Sequence, residues 1–245
     1  MFTLSEDYWE VRDTPSKGKG IFAKKDIPGG TVIGDYLGRV ARSEDVDEVK
    51  EGLYDMVYNY DYDIVGDPAK IGMHTINHSC SANCNTYPIQ NHIIYFAVRK
   101  IFASEELTVS YGLPPPEDET YPCPHTCHCG SIICHGTFHV SEESAEEFCA
   151  YLEKVVGPSF HNPPPVAPGE QLPPLPSYPS NIEDDRIFEI FGSLEQEPLL
   201  CEDNTLPPTD RLRQLIRETG LRLNFHKLGV KVFAVTRKIT LLHNN

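Results

Sequence analysis

The feature that most constrains this chain is its punctuation. Between residues 18 and 38 six glycines (Gly18, Gly20, Gly29, Gly30, Gly34 and Gly38) cut the apolar sequence into runs of a few residues. Glycine costs a helix interior about 1 kcal/mol relative to alanine, so runs this short cannot be helices. They are rich in β-branched and aromatic residues, as in GKGIFA at 18–23 and TVIGDY at 31–36, and read as short strands joined by tight turns. Two more strands are expected at 93–100 (IIYFAVRK) and 107–111 (LTVSY). No long amphipathic helix is expected before residue 112, so the first half of the chain is predicted to be mostly β.

Beyond residue 113 the pattern changes. Three prolines, 114–116, lead into a cysteine-rich segment, and SEESAEEFCAYLEKVV at 141–156 comes after it. Its serine start and its apolar positions Phe148, Tyr151, Leu152, Val155 and Val156 predict an amphipathic helix. Residues 158–182 hold nine prolines and are expected to form an extended linker. A second helix is expected at 209–220, followed by a strand or two. The expected organisation is a β-domain over 5–113, a cysteine segment over 114–138, a helix over 139–157, a proline-rich linker over 158–182 and an α/β extension over 183–245.

Charge divides the chain as well. The net charge is −15, yet residues 211–245 carry eight Lys/Arg and one acid, Glu218. The first 210 residues therefore hold 13 basic and 35 acidic side chains. Nine of the acids lie between 43 and 67, against the single base Lys50. An acidic body disfavours nucleic acid and favours a basic ligand, while the basic tail and the proline-rich stretch suit partner recruitment. No run approaches the roughly 20 apolar residues of a membrane span, and MFTLSEDYWEV lacks the features of a secretory leader. An intracellular protein is the expectation. Its eight cysteines then read as thiols or metal ligands.

Three separated motifs carry chemistry. Gly18-Lys19-Gly20 is the first, alone no more than a turn signal. Asn77-His78-Ser79-Cys80-Ser81-Ala82-Asn83 offers amide and imidazole groups in a dense polar stretch. Glu105-Glu106-Leu107-Thr108-Val109-Ser110-Tyr111-Gly112 is a strand ending in an aromatic and a glycine. In TCHCGSIICHG, Cys127 and Cys129 are spaced too closely for a comfortable disulfide, but tetrahedral zinc accepts such thiolates, and Cys134 offers a third.

In this order, with Tyr36-Leu37-Gly38 between the first two, the motifs resemble those of SET-domain protein lysine methyltransferases. The resemblance implies a β-clip-like fold with a pseudoknot, a zinc-bound post-SET loop, and S-adenosylmethionine-dependent N-methylation of lysine in histone tails or other basic proteins. It implies cofactor contacts from Gly18, Lys19, Gly20, Asn77, His78 and Tyr111, with Phe138 against the adenine. Tyr111 takes the catalytic tyrosine position and Tyr36 that of a second channel tyrosine. The fourth zinc ligand is assigned by the resemblance to Cys84, joining Cys127, Cys129 and Cys134. Cys123, His125, His128 and His135 remain competing ligands. Val109 stands where the family often has an aromatic that sets the number of methyl groups added; Thr86 and Tyr87 are alternative places for that control. A nuclear location is implied if the source is eukaryotic or the substrate is host chromatin. The alternative reading is a silent SET module that binds a basic peptide as a scaffold.

Overall fold

The computed structural model describes residues 1–46, 54–59, 61–113, 125–131, 134, 136–140 and 162–183. The helices expected at 141–156 and 209–220, the basic end of the chain, Cys123 and His135 lie outside these residues.

Ten short strands build three small sheets. They are β1 (Trp9–Thr14), β2 (Gly18–Ala23), β3 (Val32–Asp35), β4 (Arg39–Arg42), β5 (Asp55–Val57), β6 (Tyr62–Val65), β7 (Asn77–His78), β8 (Cys84–Ile89), β9 (His92–Ala97) and β10 (Glu106–Val109). Helical structure among the described residues is confined to two 3-10 turns, Ser43–Asp45 and Met73–Thr75. The mostly-β expectation holds, and no described helix is long and apolar enough to cross a membrane.

The sheets run β1-β2-β10-β7, β3-β9-β8 and β4-β6-β5. The β8–β9 hairpin turns through Gln90 and Asn91, both with positive φ (48° and 64°), the hand that matches strand twist. Pro88 sits in β8, an edge strand, where its missing N–H breaks no interior ladder. Ile21, Ile33, Val40, Ile64, Ile76 and Leu107, from all three sheets, meet in one apolar cluster.

One pairing brings distant motifs together. β7 lies parallel to β10, with Asn77 beside Thr108 and His78 beside Val109. Parallel neighbours cannot be joined by a tight turn, so the chain between them leaves the sheet, builds β8 and β9, and returns. Asn83 fastens that excursion. Its buried side chain donates to the Glu106 carbonyl (2.8 Å) and to Glu105 Oε1 (3.2 Å), and accepts the Thr108 N–H (2.9 Å).

The proline-rich stretch, expected as a linker, lies in its described part, 162–183, extended along the body. Gly169 donates to the Val40 carbonyl (2.8 Å), Val40 to Glu170 (2.8 Å), and Leu172 to Gly38 (2.9 Å). Further on, Val32 donates to Ser180 and Ile182 to Gly30, both at 2.9 Å. This strap thus pairs with the outer edge of β4 and with the start of β3, whose remaining edge is covered by Met1–Leu4. Leu172 and Ile182 are buried beneath it at 3% and 6% exposure. Proline favours the extended conformation, and the residues between the prolines supply the N–H groups that prolines lack.

Candidate active site and metal centre

The two glycines of the first motif have different work. Gly18 opens β2 with φ +69°, and a Cβ there would meet no heavy atom within 4 Å. Gly20 is enclosed: a Cβ would fall 2.7 Å from Glu106 Oε1 and 3.0 Å from Asn77 Nδ2. Glycine at 20 therefore lets two side chains approach the strand from within the protein. Those side chains form a network. Asn77 Nδ2 donates to the Lys19 carbonyl (3.0 Å) and to Glu106 Oε1 (2.9 Å), while Glu106 Oε2 pairs with Lys17 Nζ at 2.5 Å. Both amide donors of Asn77 are occupied, and no described residue donates to its Oδ1.

Across the parallel pair, the Tyr111 N–H donates to His78 Nδ1 at 3.1 Å. The rings of His78, Tyr111 and Phe138 gather around one another, with centroids 5.0–5.3 Å apart. The Tyr111 hydroxyl lies 3.4 Å from the Ile76 carbonyl, and burial pushes its ionisation up to about 12. Tyr36 is buried nearby and donates to the Tyr54 carbonyl at 2.6 Å; burial holds its phenol well above the ordinary range. Tyr95, on β9, is a third buried phenol, 6.2 Å ring to ring from Tyr36, and is likewise held protonated by burial. Beyond burial, Tyr95 and Tyr111 both push the Tyr36 ionisation up, and Tyr111 does the same to Tyr95. Residue order does not single out Tyr95, because the central strand β9 is buried almost throughout and shows no alternation to set it apart.

The thiol cluster with the spacing to hold a metal differs from the expected one by a residue. Cys80, Cys127, Cys129 and Cys134 bring their sulfurs within 4.8 Å of one another. Cys84 is not among them. It opens β8 facing the core, its thiol lies 3.5 Å from Asn83 Oδ1, and burial pushes its ionisation up to about 12. The fourth thiol is Cys80, half-buried on the turn after β7. Sequence order offered both cysteines, and strand register decides between them. The His128 side chain is outside the group, and His125 pairs with His139 (3.2 Å).

Four thiols this close fit a tetrahedral zinc ion. Ligands about 2.3 Å from a tetrahedral centre stand about 3.8 Å apart, and the Cys80 and Cys127 sulfurs are 3.8 Å apart. The fit for a polar, aromatic cofactor rests on the open space beside Gly18, the unused Asn77 Oδ1 and the half-buried Phe138 ring.

The arrangement of the three motifs around one parallel strand pair coincides with a match to a family model, that of the SET domain, over residues 18–112. The matched stretch runs from the start of β2 to just beyond β10, so it takes in all three motifs. Among relatives, the histone-lysine N-methyltransferase trithorax of Drosophila virilis is 36% identical over 147 residues, covering 54% of this chain and 4% of that protein. Histone-lysine N-methyltransferase 2B of Homo sapiens is 37% identical over 133 residues, covering 48% of this chain and 5% of that protein. The chain thus matches only a small part of each of these relatives. A solved structure, KRYPTONITE in complex with mCHG DNA and SAH, aligns at 26% identity over 53% of this chain and 28% of that one, with a TM-score of 0.43.

Proposed function

We propose that the protein is an S-adenosylmethionine-dependent protein-lysine N-methyltransferase whose substrates are basic peptides, histone tails among them. The observation that carries the reading is the β7–β10 pair, in which His78 accepts the Tyr111 N–H and so unites two motifs 33 residues apart. The relatives named as histone-lysine methyltransferases support the same chemistry. Such an enzyme works where histones are, in the nucleus.

In this reading Gly18, Lys19 and Gly20 offer backbone to the cofactor, Asn77 Oδ1 accepts from its ammonium group, and Phe138 packs on its adenine. Bound S-adenosylmethionine supplies the electrophilic methyl group. The chain supplies alignment, worth up to ~7–11 kcal/mol when reactants are held in attack geometry. Tyr111 and Tyr36 orient the lysine amine from a buried region of neutral phenols. A free lysine has a pKa of about 10.4; burial among uncharged groups disfavours the ammonium, so the amine enters neutral. No phenol here is poised to act as a base, because each is held protonated. Cys80, Cys127, Cys129 and Cys134 would hold a zinc ion, which would tie the post-SET segment to the turn after β7.

The acidic residues that are described on and around β5 and β6 (Glu44, Asp45, Asp55, Asp61, Asp63 and Asp67) give this side of the domain its negative charge. They favour basic residues flanking the target lysine. Reversing Glu44 and Asp45 is expected to raise KM for basic peptides at low salt.

The deciding experiment is transfer of label from radiolabelled S-adenosylmethionine to core histones, with lysine-to-arginine peptides and Tyr111→Phe as controls. Lysine-dependent label that the variant loses supports the enzyme. Cofactor binding by calorimetry without label means that the wrong substrate was offered, and neither label nor cofactor binding favours a silent peptide-binding module instead.

A further inference from the structure

The strap brackets one tyrosine. Tyr36, Leu37 and Gly38 form the link between β3 and β4 and belong to neither strand. Within it the Tyr36 N–H donates to the Ile93 carbonyl of β9 (2.9 Å), and the rest of its geometry depends on what holds its ends. On one side stands Asp35, fully buried at the end of β3. Its Oδ2 accepts from the Tyr178 hydroxyl (2.6 Å) and pairs with His92 Nδ1 (2.7 Å). Tyr178 in turn accepts the Leu175 N–H at 2.8 Å, so the contact is built into the strap. Burial and the adjacent Asp35 carboxylate hold the Tyr178 phenol protonated, which makes it the donor.

On the other side, the Gly38 carbonyl accepts from Leu172, and Val40 exchanges hydrogen bonds with Gly169 and Glu170. Gly38 has no slack of its own, since a Cβ there would run into the Val65 carbonyl. The ring end of Tyr36 is fixed by the body, through its bond to the Tyr54 carbonyl. A segment more than 130 residues later in the chain thus holds the Asp35 side chain before Tyr36 and the Gly38 backbone after it, while the Asp35 N–H is held by the Met1 carbonyl.

We propose that residues 169–178 of the strap are a positioning element of the active site: Tyr178, through Asp35, and Leu172, through Gly38, hold the link that carries Tyr36 and so set the lysine channel. Tyr178 is a positioning residue acting through Asp35. The inference rests on the reading of Tyr36 as a channel residue.

The test uses the full chain. Tyr178→Phe deletes one hydroxyl and keeps the ring. Ile182→Ala weakens the strap at its far end, where Ile182 packs with Val32 and Phe96 in a separate cluster. Tyr178→Phe is expected to lower kcat about 10-fold, less than the roughly 100-fold that a misplacement of about 1 Å can cost. Cofactor Kd should stay within about 2-fold, since alignment and not cofactor binding is disturbed. Ile182→Ala is expected to lower Tm and leave kcat unchanged. Amide exchange at Val40 and Leu172, followed by mass spectrometry or NMR, should quicken in Tyr178→Phe. If both variants lose Tm but keep wild-type kcat, and exchange at Val40 and Leu172 is unchanged in Tyr178→Phe, the strap only covers sheet edges and the inference fails. A wild-type chain that methylates nothing overturns the functional reading instead. The exchange measurement then still decides whether Tyr178 holds the link.

Discussion

Tyr111 and His78 are joined by a hydrogen bond that fixes the state of the imidazole. Because Nδ1 accepts the Tyr111 N–H at 3.1 Å, a neutral His78 carries its proton on Nε2, which lies 3.3 Å from the Cys80 sulfur. One ring therefore connects the Tyr111 backbone to a thiol of the proposed zinc group. Metal sites commonly use such outer contacts to orient their ligands.

From this contact His78→Leu is expected to weaken zinc binding by about 10-fold, the lower end of what losing such a partner usually costs. Competition with a chromogenic chelator measures it, with circular dichroism to check that the strands persist. Unchanged affinity in a folded variant would mean that the sulfur contact is incidental.

The choice between Cys80 and Cys84 gives a second prediction. Purified wild-type protein is expected to hold one zinc per chain by elemental analysis. Cys80→Ser is expected to lose it, because four-thiolate coordination then lacks a ligand. Cys84→Ser should retain the metal and lose some stability, since it places a hydroxyl at a buried core position. Zinc loss in Cys84→Ser with retention in Cys80→Ser would reverse the assignment.

Asn83 tests the fold of the site without touching its chemistry. Its amide meets three partners on the strand that leads to Tyr111, and replacing it leaves the buried Thr108 N–H unpaired. Asn83→Ala is expected to cost about 3 kcal/mol, from the lost bonds and the orphaned donor. For a domain this size that lowers Tm by roughly 8 °C. A loss below about 1 kcal/mol would show that water replaces the side chain readily.

Much of this fold was legible from residue order because glycine spacing and β-branched runs report local conformation directly. Short strands before residue 113 were expected for that reason. The three motifs were legible as a set through the family resemblance, although nothing local says that Asn77 and Thr108 are neighbours. What residue order could not supply is register. Whether Cys80 or Cys84 faces the metal group depends on where β8 begins. Gly20 looked like a point of ligand approach, whereas Glu106 and Asn77 fill the space above it. Prolines at 163–179 signalled extension correctly, yet extension is equally the state of a free linker and of a segment laid along a sheet edge. The difference lies in Leu172, Tyr178 and Ile182, each of which meets residues far away in sequence.

Asp63 carries a pH prediction. It sits in β6 with its Oδ1 buried and without a partner among the described residues. Burial pushes its pKa up to about 6, and the neighbouring Asp55 adds to this, while a hydrogen bond from the Ser43 side chain opposes it. In the unfolded chain an aspartate titrates near 3.9. Between those values the folded state binds more protons than the unfolded one, so this group's contribution to stability falls as pH rises from about 4 through 6 and levels off above about 7. The change across that window is on the order of 2–3 kcal/mol. Asp63→Asn removes the titration. Its stability relative to wild type, from urea midpoints at matched pH, is therefore expected to improve steadily between pH 4 and pH 7. Parallel curves for the two proteins over that range would show that the Asp63 carboxylate is solvated in the native state and ionises normally.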